Sequence, residues 1–78
     1  MDERFIIQAS EMSENWWVCT DKAHGIVCRF EHKKFNDTQK ITFLYGDKFS
    51  TEKEALACAT YLREMADWLL ENHKDKVN

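Results

Sequence analysis

The hydrophobic period of this chain changes once, near residue 50, and that change leaves very few folds open to it. From Arg4 to Tyr45 apolar residues recur mostly at every second position, and from Thr51 to Lys74 at every third or fourth. Strand side chains alternate between two faces, whereas a helix returns to the same face after about 3.6 residues. The first part therefore reads as strands and the second as one long helix.

The helix is expected over about residues 51–73. Thr51 and Glu54 fit a capping box, in which hydroxyl and carboxylate each satisfy an otherwise unpaired backbone N–H; Ser50 is the competing N-cap one residue earlier. Helical spacing places Ala55, Cys58, Ala59, Leu62, Met65, Ala66, Leu69 and Leu70 on one stripe. Lys53, Ala57, Thr60, Arg63, Glu64, Asp67 and Glu71 fall opposite. Glu52 and Glu54 begin the helix, and His73, Lys74 and Lys76 lie at or beyond its end, matching the helix dipole.

Four strands are expected before it, over about residues 4–9, 16–20, 26–31 and 40–45, each enriched in β-branched and aromatic residues. Ser10–Asn15 is polar, Asp21–Gly25 ends on a glycine able to take positive φ, and Asn36–Asp37 favours a turn. Gly46 and Asp47 close the sheet and lead into the helix. The fold class is α+β: a four-stranded antiparallel meander packed on one face by a single long C-terminal helix, ββββα, with residues 1–78 as one domain. The covered face carries Phe5, Ile7, Trp17, Cys19, Ile26, Cys28, Phe30, Ile41, Phe43 and Tyr45. A four-residue turn at Lys22–Gly25 sets Cys19 opposite Cys28 and Trp17 opposite Phe30.

The opposite face is the informative one. By alternation it holds Ile6, Gln8, Trp16, Val18, Thr20, Val27, Arg29, Glu31, Thr42 and Leu44. Ile6, Trp16, Val18, Val27 and Leu44 form a candidate apolar interaction face, because one helix cannot cover both sides of a sheet. A second candidate contact is the helix edge at Tyr61 and Trp68, seven residues apart, which also reads as the periphery of the core.

Composition narrows the function classes. With 44% hydrophobic and 13% aromatic residues, the chain has too much apolar surface for a disordered protein. It contains no apolar run long enough to span a membrane, and its N-terminal MDERFIIQAS does not resemble an export signal. The odd count of three cysteines, Cys19, Cys28 and Cys58, fits reduced, buried thiols in a cytoplasm better than a disulfide framework. Cys19, His24, Cys28 and His32 invite a zinc reading, but gathering them around one ion would disrupt the hairpin that the flanking alternation supports, so no metal or other cofactor is expected. Only two glycines are present, and no phosphate loop, nucleophile motif or carboxylate pair stands out. A non-catalytic protein is expected.

Two binding functions remain. The leading one is a small protein-interaction module, a homodimer through the helix-free sheet face, in the compact acidic format of bacterial and phage accessory proteins. The alternative is a single-stranded nucleic-acid binder using Trp16, Arg29, Lys33, Lys34 and Lys40, with Phe35 adding to the stacking surface. The net charge of -3 does not prevent a local basic face, because Glu31 and Asp37 are the only acids between Lys22 and Lys40. In layout, strands followed by one C-terminal helix is similar to the single-strand-binding transcriptional coactivator fold, whose members dimerise through the helix side; no motif of that family occurs here.

Overall fold

In the computed structural model, which describes residues 3–44 and 51–78, the strands are β1 (Phe5–Ala9), β2 (Trp16–Asp21), β3 (Ile26–Glu31) and β4 (Lys40–Phe43). A short helix α1 (Phe35–Thr38) separates the last two strands, and α2 (Glu52–Asn72) and α3 (Lys74–Val77) end the chain. The strands pair antiparallel in the order β1-β2-β3-β4, with the helices against one face. This is the ββββα, α+β architecture. The expected contribution of Tyr45 to the last strand, the turn at Gly46 and Asp47, and the alternative cap Ser50 lie outside the described residues.

Turn chemistry sets the register. Gly25 takes φ 66°, which a residue with a Cβ adopts only at a cost, and its N–H donates to the Asp21 carbonyl at 2.9 Å. The resulting four-residue turn pairs Asp21 with Ile26, so Cys19 faces Cys28 and Trp17 faces Phe30. At the other end of β2, Asn15 takes φ 66°, a conformation its short polar side chain tolerates, and Ser10 N–H closes the connection onto the Trp16 carbonyl at 2.9 Å.

One face of the sheet supplies most of the core. Phe5, Cys19, Ile26, Cys28 and Phe30 are buried there, and Met65 and Leu69 of α2 pack onto them. Thr51 is the N-cap of α2, its hydroxyl accepting from Glu54 N–H at 3.1 Å. Thr51→Ala is expected to lower stability by about 1 kcal/mol, measured as a shifted urea midpoint with an unchanged slope.

The helix is rotated relative to the expected stripe. Leu70 is 44% exposed and Ala59 also faces solvent, whereas Cys58, Met65 and Leu69 are buried and Tyr61, Leu62, Ala66 and Trp68 are half-buried against the core. The rotation brings two aromatic side chains against the sheet and its β2–β3 turn, Tyr61 onto His24 and Trp68 onto Phe5.

Two segments depart from the sequence reading. The expected turn at Asn36–Asp37 is a single turn of helix, α1, whose Phe35 is buried edge-on against Phe30 with ring centroids 5.1 Å apart. The chain after α2 also folds back. Lys33, at φ 64°, donates its N–H to the Lys76 carbonyl at 2.8 Å, and Val77 is buried. The first depends on packing between rings five positions apart and the second on a contact between distant residues, and local turn preferences are blind to both.

Candidate functional site

The outer sheet face gathers the residues singled out by alternation. In the observed register Ile6 lies opposite Thr20, Thr20 opposite Val27, and Val27 opposite Thr42, while Val18 lies opposite Gln8 and Arg29. Val18 is therefore the diagonal neighbour of both Ile6 and Val27, which flank Thr20 on either side. Leu44, expected within the last strand, lies just past the end of β4 in a turn, its N–H bonded to the Gly25 carbonyl at 2.8 Å and its surface 57% exposed. Ile6, Trp16, Val18 and Val27 are half-buried, and Met65 and Leu69 of α2 belong to the core on the opposite face.

One end of this face is basic and aromatic. Lys40 Nζ lies 5.6 Å from the centre of the Trp16 ring, and the exposed Arg29 stands opposite Lys40 on the neighbouring strand. Lys33 and Lys34 are not part of that cluster. Lys33 sits in the turn after β3, and Lys34 precedes α1 with its ammonium 3.5 Å from Glu31. Burial of Phe35 removes it from any stacking surface.

Tyr61 and Trp68 are held by contacts within the chain. Tyr61 stacks on His24 with ring centroids 3.6 Å apart and planes 15° apart, and Trp68 packs 5.5 Å from Phe5 and 5.0 Å from His73. Beneath Tyr61 lies a polar network that the sequence reading missed. Asp21, with no exposed surface, accepts from Arg4 Nη2 at 2.9 Å and Nε at 3.2 Å, and lies 2.9 Å from His24 Nδ1. Its second oxygen accepts from the N–H groups of Ala23 and His24 at 3.0 and 3.2 Å, and Arg4 also bonds Glu64 of α2 at 2.9 Å.

Burial alone would push the Asp21 carboxyl up, but the hydrogen bonds from Arg4 and His24, reinforced by their charge, outweigh it and hold the group below the usual carboxylate range. The bond to Asp21 is in turn the main reason that the Arg4 pKa is raised. The Asp-x-x-His-Gly turn was a legible signal for the local half of this network, since Asp side chains bond the N–H two residues on. Arg4 and Glu64 carried no such signal.

The cysteines and histidines considered as metal ligands are separately engaged. Cys19 and Cys28 lie side by side in the core, where burial pushes their thiols up to about 12 and about 11. His24 is bonded to Asp21, and His32 Nδ1 accepts from Trp17 Nε1 at 3.1 Å. Among the described residues no three His, Cys, Asp or Glu side chains are grouped to hold an ion. No described helix is long and apolar enough to cross a membrane. In comparisons with known proteins, the chain matches no protein-family model, no curated protein and no solved structure.

Proposed function

We propose that this chain is a small non-catalytic protein-interaction module that associates with a second copy of itself through the helix-free sheet face. The observation carrying this reading is the grouping of Ile6, Val18 and Val27 on the side of the sheet opposite the helices, with the exposed Leu44 just past the end of β4. Apposing two such faces removes apolar surface from water, the dominant favourable term in association. Cytoplasmic residence belongs to the same reading, supported by three buried free thiols. Val18→Glu and Val27→Glu place a carboxylate in the middle of the face without touching the core. Each is expected to leave a folded monomer by light scattering where the unaltered chain is a dimer; a mass unchanged by both would remove this face as the interface.

The Trp16, Arg29 and Lys40 cluster favours a second reading, binding of single-stranded nucleic acid across the same face. Phosphate contacts release counterions, so affinity for a mixed oligonucleotide should fall steeply between about 50 and 200 mM salt. Absence of binding at the lower salt rejects it.

A further inference from the structure

The free edge of β1 offers a partner its backbone. The Arg4 carbonyl accepts from Lys22 N–H at 2.7 Å and Ser10 N–H donates to the Trp16 carbonyl at 2.9 Å, with an unbroken register between them. Arg4, Ile6, Gln8 and Ser10 therefore turn their backbone groups toward β2, and Phe5, Ile7 and Ala9 turn theirs off the sheet. These outward N–H and C=O groups have no partner among the described residues. Sheet edges are commonly guarded by a proline, a charged side chain or a bulge. From Phe5 to Ala9 there is no proline, no charge and no bulge. Beside the edge, β1 and the end of α2 border an open groove of about 530 Å³, with Ile7, Trp68, Asn72 and His73 in its lining.

We infer that the edge of β1 pairs antiparallel with β1 of a second copy, joining two four-stranded sheets into one. The inference rests on the reading that the chain self-associates, but not on the outer face as the surface that does so. A second copy is the occupant that the edge fits. Its β1 is already extended, so pairing orders little new backbone. A two-fold axis through Ile7 sets Phe5 against Ala9 of the other copy and Ile7 against its equivalent, so each strand satisfies the other's outward groups and the contact closes. The five residues carry no charge, so none opposes a like charge within the ladder although each chain carries -3. On the helix side, Phe5, Ile7 and Ala9 of each copy supply the apolar side chains nearest the other's groove.

The test uses the full chain over a concentration series, with mass by sedimentation and amide exchange at single-residue resolution. Dimerisation should slow exchange of the Phe5, Ile7 and Ala9 amides at least tenfold. Ala9→Pro removes one outward donor, leaves the β1–β2 ladder intact and alters an exposed residue. Ala9→Lys, at the same exposed position, adds a charge within the edge on the helix side of the sheet, away from the outer face, without changing the backbone. Each is expected to weaken dimerisation at least tenfold with the circular dichroism unchanged, and Ala9→Lys decides the matter if the proline variant does not fold.

Loss of the dimer in the edge variants but not in Val18→Glu or Val27→Glu supports the edge and removes the outer face. The reverse pattern overturns the edge and leaves the outer-face reading standing. A tetramer halved by either class supports both contacts. A chain monomeric at every concentration overturns the inference, even if an unrelated extended peptide binds the same edge.

Discussion

Phe30→Ala is expected to lower the unfolding free energy by about 4 kcal/mol, the middle of the range for truncating a buried aromatic side chain. Phe30 has no exposed surface, faces Trp17 across the hairpin and meets the Phe35 ring edge-on with planes 76° apart. Its removal therefore takes away apolar contact and also opens a cavity between β3 and α1, which the surrounding strands can close only in part. For a chain of 78 residues the whole unfolding free energy is on the order of 4–12 kcal/mol, so this variant approaches loss of the native state. Urea unfolding should show a much lower midpoint or no native baseline. Phe30→Leu should cost about 1.5 kcal/mol, since much of the volume is retained. Equal losses in both variants would show that the site is not closely packed.

Asp21→Ala is expected to cost about 3 kcal/mol, because removing one partner of a buried charged pair strands the other. For a domain of this size that is a fall in Tm of roughly 15 °C. Arg4 keeps its bond to Glu64 and is partly solvated, with 30% of its side chain exposed, which places the loss at the lower end of the range for such networks. The N–H groups of Ala23 and His24 lose their acceptor at the same time, loosening the turn that sets the β2–β3 register.

The variant also changes the pH dependence. The folded Asp21 carboxyl titrates below its unfolded value of about 3.9. Between those two values the unfolded chain binds more protons, so stability rises with pH. The contribution is fully present above about pH 4 and disappears as pH falls through the lower, folded value. Acid unfolding of Asp21→Ala should therefore be shallower than that of the unaltered chain below about pH 4. Parallel curves would mean that Asp21 is not held ionised by the fold.

What could be read in advance was what depends on near neighbours along the chain. Alternation identified the four strands and which residues share a face. The four-residue turn ending at Gly25 fixed the pairing of Cys19 with Cys28 and Trp17 with Phe30. The Thr51 cap located the start of the helix to within a residue. The candidate outer face was legible for the same reason, since strand alternation assigns a side chain to a face before any tertiary contact forms.

The remainder needed the path of the chain in three dimensions, and for the most part partners far apart in sequence. Phe35 turned from a candidate stacking residue into core because α1 brings its ring onto Phe30, five positions before it. The Lys33 N–H meets the Lys76 carbonyl across more than forty intervening positions, and the Arg4–Glu64 bond spans sixty. Leu70 was placed in the helix stripe by period alone, yet it is exposed, while Tyr61 and Trp68 pack against His24 and Phe5. By itself, then, the sequence determined the four strands and the long helix, their order and the two faces of the sheet, all products of short-range stereochemistry, but neither α1 nor α3. Only the tertiary structure decided how α2 is rotated, where the C-terminus docks and which carboxylate is buried, because packing competes over the whole chain at once.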